Sequence, residues 1–167
     1  SGMDSPELFR LPDWECLPYD VFSPHPDITS ERLRTLAKLP SLHRGILLVT
    51  LESLMQRLPP TGYVLGQSFE LACGEILDIE TFRGQLQTSG YLSVSQVMTS
   101  GEYAIRGGVI DVFAPGVDLP FRLDLFGNKI ESIRYFDPET QRSTKQIERI
   151  DILPAREFPM SESSIRQ

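Results

Sequence analysis

The chain has 167 residues, 40% hydrophobic and 23% charged, a normal globular balance that suffices for one ordinary domain or two small ones. Its formal charge of −7 repels phosphate backbones and anionic membranes, and of its 16 basic residues only Lys38, Lys129 and Lys145 are lysines, a bias toward the side chain favoured at protein interfaces. No apolar run reaches the length of a membrane span and no charged-then-apolar leader opens the chain, so a membrane helix and a secretion signal are excluded and a cytoplasmic location is expected.

In chain order, residues 1–10 read as a tag remnant, Ser1-Gly2-Met3, followed by a flexible start. Residues 11–28 carry Pro12, Pro18, Pro24 and Pro26 among large apolar side chains, which predicts an extended segment laid over a core. Asp27 or Thr29 then caps a helix running to about Leu39, with Leu33, Leu36, Ala37 and Leu39 on its apolar side and Pro40 as the stop. The run at residues 46–49 predicts a strand buried on both faces, and Thr50 caps a second helix with Leu51, Leu54, Met55 and Leu58 at helical spacing before Pro59-Pro60. Helix, strand and helix make a piece of an α/β sandwich. One strand cannot form a parallel sheet, so part of this layer is expected from elsewhere.

From about Gln67 short strands punctuated by glycine replace that pattern, which predicts a domain boundary. Residues 69–77 read as a strand or hairpin arm. Asp78 caps a helix with Ile79, Phe82 and Leu86 on one face, closed at Ser89-Gly90. Residues 103–113 read as one strand with a bulge, or a close approach of another backbone, at Gly107-Gly108. Residues 121–126 and 130–136 form a hairpin around Gly127-Asn128, residues 147–153 are the last strand, and 155–167 are a polar tail. One helix beside a small antiparallel sheet, preceded by a truncated α/β segment, is an α+β chain.

The sequence contains no phosphate-binding glycine loop, dinucleotide turn, nucleophile elbow or zinc-protease helix. Cys16 and Cys73 have no partner at metal spacing and read as free, partly buried thiols. His25 and His43 read as loop residues, and carboxylate neighbours such as Asp118 with Asp124 or Asp137 with Glu139 are what an acidic chain produces by chance. Neither a catalytic residue nor a cofactor or metal site is therefore expected, and the chain reads as a non-enzyme.

The informative stretch is 101–142. Alternation puts Phe121, Leu123 and Leu125 on a core face and Arg122, Asp124 and Phe126 on the other. Arg106 precedes the glycine pair on a neighbouring strand, and two arginines with an exposed aromatic have the composition of an interface hot spot. The plain alternative is that Arg122 pairs with Asp124 or Glu131 on a solvated face while Phe126 folds under the hairpin. The register is open: a two-residue loop sets Asp124 opposite Glu131, and a three-residue loop does not.

The segments LPDWECLPYDVFSPHPDITSERLRTL, LESLMQRLPP, GEYAIRGGVIDVFAPG and PFRLDLFGNKIESIRYFDPETQRS together resemble the amino-terminal, UvrB-like region of the bacterial transcription-repair coupling factor (Mfd) family, from Leu11 to Pro159. They are also similar to the excision-repair protein UvrB, whose damage-recognition partner UvrA binds a small inserted β domain. The family's full proteins are ATP-dependent DNA translocases that act on stalled RNA polymerase and recruit UvrA in nucleotide excision repair. Their motor motifs are absent here. The resemblance implies that residues 11–66 are part of a first UvrB-like domain and residues 67–154 a UvrA-interaction domain, with Arg106, Arg122 and Phe126 at the positions that contact UvrA. It implies contacts with RNA polymerase and DNA only through domains outside this chain, and it leaves the truncated first sheet open to self-association through its edges. Direct DNA binding, as in a UvrB-like protein, is the alternative function.

Overall fold

A computed structural model describes residues 6–15 and 25–158. Its first layer is a parallel pair, β1 (Glu7–Leu11) with β2 (Gly45–Val49), covered by α1 (Pro26–Lys38). The expectation of a flexible start through residue 10 is thereby corrected: Leu8 pairs with Ile46 and Phe9 with Leu47, giving the supposedly solitary strand one partner. Phe9 and Leu11 from β1 are buried with Leu33 and Leu36 from α1, and the Thr35 hydroxyl donates to the Arg10 carbonyl at 2.6 Å. α1 starts from a different cap than Asp27 or Thr29. His25 Nδ1 accepts from the Asp27 N–H at 3.3 Å, and Pro26 takes the first turn, where its missing N–H costs nothing.

The prediction for residues 46–58 is corrected more deeply. Ile46, Leu47 and Leu48 are 47%, 37% and 50% exposed, because two strands and one helix cannot enclose both faces of a sheet. Thr50 does cap α2 (Leu51–Met55), accepting from the Ser53 N–H at 3.1 Å, but the helix ends before Leu58 and Leu51, Leu54 and Met55 all face outward. A further short helix, α3 (Thr61–Gly66), follows the proline pair and buries Val64. Of the predicted extended segment, Cys16, Pro18 and Pro24 lie outside the described residues.

The remaining chain is α+β. β3 (Phe69–Ala72) pairs antiparallel with β10 (Arg149–Ile152). β4 (Leu92–Ser93), β5 (Glu102–Arg106), β6 (Val109–Val112), β7 (Phe121–Phe126), β8 (Lys129–Phe136) and β9 (Ser143–Ile147) form one sheet in chain order, antiparallel except for β4 with β5. α4 (Ile79–Thr88) is capped as expected: Asp78 Oδ1 accepts from the Thr81 N–H at 2.8 Å, and these bonds hold its carboxyl below the usual range. Gly90 closes the helix at φ +90°.

Phe82 and Leu86 of α4 share a core with Tyr103, Ile110, Val112, Phe121, Leu123, Ile130, Ile133, Ile150 and Ile152. A smaller cluster of Val97, Ala104 and Phe136 caps one end of the opposite sheet face.

Two strand readings change. Gly107-Gly108 is the turn of a hairpin joining β5 to β6, with Arg106 opposite Val109, and the last predicted strand, residues 147–153, is β10, while β9 just upstream is an additional strand that the sequence reading did not include. The expected close backbone approach does occur at the turn: the Leu125 N–H donates to the Gly108 carbonyl at 2.7 Å, and a Cβ at Gly108 would stand 2.8 Å from the Leu125 oxygen.

The expected tail is also corrected at residues 155–158. Glu157 is buried against Arg32 of α1, with Nε–Oε1 at 2.5 Å and Nη2–Oε2 at 3.3 Å. Arg32 also donates from Nη1 to the Pro12 carbonyl at 2.5 Å and lies 5.2 Å from the centre of the Trp14 ring. One buried guanidinium thus joins three chain segments. Among the described residues no helix is long and apolar enough to cross a membrane.

Candidate interaction surface

The sheet face opposite α4 carries a polar network centred on Asp111. In β6, Ile110 and Val112 point into the core, so the alternation of a strand sends Asp111 to the other face. There it is wholly covered, and a covered carboxylate requires cationic partners. It has two. Arg122, directly opposite on β7, donates from Nε to Oδ1 at 2.7 Å and from Nη2 to Oδ2 at 2.9 Å, a forked pairing. Arg106, from the end of β5, donates from Nη2 to the same Oδ2 at 2.5 Å.

Arg122 is fixed from every side. Its Nη1 donates to the Gln141 carbonyl at 3.0 Å, and its guanidinium carbon sits 4.6 Å from the centre of the Phe136 ring. The hydrogen bond to Asp111, helped by the Asp111 and Asp124 charges and opposed by partial burial, raises its pKa above the ordinary arginine value. The loop supplying that carbonyl is itself built: Asp137 Oδ1 accepts from the N–H groups of Glu139 and Thr140, which holds the carboxyl below its usual range, and Gln141 donates to the Val97 carbonyl.

Arg106 is half exposed, while the Arg122 side chain is only 17% exposed. Both face an open cavity of about 580 Å³ that Asp124, Arg134 and Gln141 also line. Arg134 stands directly opposite Arg122 on β8, and its Nη1 lies 3.6 Å from Asp124 Oδ2. Two like charges in register leave this wall of the cavity cationic.

Phe126 ends β7 on the same face by strand parity. It is 81% exposed, lies at the hairpin tip and does not line the cavity. The structure therefore brings Arg106 and Arg122 together on one carboxylate and sets Phe126 apart, two positions beyond Asp124 along the strand. The plainer alternative is overturned in its details. Arg122 pairs with Asp111 rather than Asp124 or Glu131, and Phe126 does not fold under the hairpin.

The register question resolves in an unexpected way. The loop has two residues, with Phe126 opposite Lys129, yet a bulge between Asp124 and Leu125 sets Asp124 opposite Ser132, whose hydroxyl donates to it at 2.8 Å. Glu131 is the extra residue. The bulge lets Ile130 and Ile133, three positions apart, both reach the core.

Sequence reading missed Asp111 and Arg134. The signal for Asp111 was present: a single carboxylate inside a Val-Ile strand, at a position whose neighbours are both core residues, needs a buried cation.

A family model described as the UvrB interaction domain matches residues 69–158. The chain is 46% identical over 158 residues to a transcription-repair-coupling factor of Escherichia coli strain K12, covering 95% of this chain and 14% of that protein. It is 45% identical over 165 residues to the protein of the same name from Haemophilus influenzae, covering 99% of this chain and 14% of the relative. A Staphylococcus aureus strain Mu50 transcription-repair-coupling factor is 37% identical over 164 residues, covering 98% of the chain and 14% of its own length. The chain thus spans about one seventh of the length of these relatives.

Proposed function

The chain belongs to the UvrB interaction domain family, and from that premise we propose that the Arg106, Arg122 and Phe126 face is the surface through which a transcription-repair coupling factor recruits UvrA to stalled transcription, in the cytoplasm and without catalysis by this segment. The observation that carries the reading is the shared carboxylate. Asp111 fixes two arginines in place before any partner arrives, so little side-chain freedom remains to be lost on binding. Arg106 keeps half its surface and most of its donors available for partner carboxylates, and the exposed Phe126 ring supplies apolar area beside them.

On this reading the interaction unit is the segment from about residue 67 to 154, and residues 11–66 belong to a preceding α/β unit. Contacts with RNA polymerase and DNA, and the translocase activity, would reside in the six sevenths of the relatives' length that this chain does not span. The test is titration of the chain against purified UvrA, with a duplex DNA mobility shift as the second arm. Saturable binding to UvrA that Arg106→Ala weakens is expected. Binding to DNA that falls steeply with salt, together with none to UvrA, would replace the reading with the DNA-binding alternative.

A further inference from the structure

Apart from Phe126, the most exposed large apolar side chain of residues 69–158 is Ile76, at 74%. It lies in the segment between β3 and α4, far from Phe126 in sequence, yet the two share one row of the sheet. Phe126 is the register partner of Lys129 on one side, and Ile76 forms an antiparallel bridge with Lys129 on the other. Residues directly opposite one another in antiparallel pairs point to the same face, so all three project from the face that carries Arg106 and Arg122. The neighbours agree: Leu77 and Ile130, one position along, are both buried.

The placement of Ile76 is imposed by the backbone. The Gly74 N–H donates to the Ile130 carbonyl at 2.8 Å, the Ile130 N–H to the Glu75 carbonyl at 2.9 Å, and the Leu77 N–H to the Asn128 carbonyl at 2.7 Å. With Leu77 anchored inward, Ile76 has no inward alternative. The lysine stem runs beside Gly74: a Cβ there would stand 3.9 Å from Lys129 Cε, ordinary contact distance. Two strand spacings separate Phe126 from Ile76, about 10 Å, and Lys129 stands on the strand midway between them, where its apolar stem occupies the gap.

We propose that the docking surface continues past Phe126 onto Ile76, so that Phe126, the Lys129 stem and Ile76 form one ridge that enters an apolar socket rimmed with carboxylates on the partner protein. Charge complementarity selects that partner. In a chain of net charge −7, this face gathers Arg106, Arg122, Arg134 and Lys129 against the two carboxylates that pair with the arginines, Asp111 and Asp124, and Lys129 makes no ion pair among the described residues. An acidic rim would satisfy the ammonium while the socket covers the two apolar side chains. The ridge adjoins the arginine cavity, so one partner surface can engage both. This inference rests on the proposed function and extends its site by two residues.

Calorimetric titration of the 167-residue chain against purified UvrA tests it. Ile76→Ala is expected to weaken binding about tenfold and Ile76→Asp, which sets a carboxylate against an acidic rim, about thirtyfold or more. Lys129→Met, which keeps the stem and removes the charge, is expected to lose severalfold and to flatten the dependence on salt. Both positions are at the surface, so each variant should melt within about two degrees of the parent. If Phe126→Ala weakens binding while Ile76→Asp binds within about twofold of the parent, the ridge is overturned and the arginine site stands. If the parent chain does not bind UvrA, the reading beneath it fails as well.

Discussion

Residues 45–58 and residues 102–136 are both rich in branched apolar side chains, and they dispose of them in opposite ways. In the first, Ile46, Leu48, Leu51, Leu54 and Met55 lie open at 47–82% exposure; in the second, Ile110, Val112, Leu123, Ile130 and Ile133 are completely covered. Hydrophobicity per residue does not separate them. The difference is closure: six strands in chain order, the β3–β10 pair and a capped helix enclose one core between them, whereas among the described residues a two-stranded parallel pair with one helix has apolar surface to spare and two free edges. The open layer meets the segment after β10 through a buried ion pair as well as the Trp14 and Phe158 rings, whose centres lie 6.3 Å apart. Arg32 and Glu157, 125 residues apart, form a buried pair where the first layer meets the segment after β10. An apolar count taken along the chain would have ranked the two regions alike.

The comparison is most severely tested at that pair. Arg32→Ala strands the Glu157 carboxylate in a covered site and is expected to cost about 3–5 kcal/mol. Hydrogen exchange gives the sharper result, in that α1 should lose protection while β7 and β8 keep theirs. Equal loss in both regions would mean that the two layers fold as one unit.

Leu123→Ala, within the closed core, is expected to lower stability by about 2–5 kcal/mol and to reduce partner binding only through unfolding. Asp111→Asn sits between stability and function. Removing the charge that two guanidiniums share is expected to cost about 2 kcal/mol and to weaken binding to UvrA in protein that is still folded, because Arg106 and Arg122 lose their common anchor. Unchanged affinity in a folded Asp111→Asn protein would show that the arginines need no fixing. Phe126→Ala is expected to leave the melting temperature within about two degrees while weakening binding by about 2 kcal/mol, roughly thirtyfold. A fall in melting temperature like that of Leu123→Ala would reassign the ring to the core.

The smallest effect belongs to the open layer. Leu54→Ser is expected to change stability by no more than about 0.5 kcal/mol despite deleting a leucine side chain, since that side chain is already 65% exposed. Thermal melts of the Leu54 and Leu123 variants side by side measure the contrast directly.

Much of this was legible in the residues because the interactions involved are local. Asp78 and Thr50 cap helices through bonds to N–H groups three residues on, Gly90 takes a positive φ just past a helix, and Gly127-Asn128 turns a hairpin. Strand parity likewise separates Leu123 from Arg122, since successive side chains must point to opposite faces. Tertiary structure alone decided the rest. The partner of Arg122 proved to be Asp111 rather than a nearer acidic residue, because β6 is brought beside β7 by the meander. The bulge at Glu131 overrode the register that loop length implied, and Glu157 became a core residue through Arg32. Ile76 joined Phe126 through a bridge to Lys129. Periodicity and capping report on a few consecutive residues, whereas each of these pairings depends on which distant backbone lies alongside, a choice made by burial of the whole core.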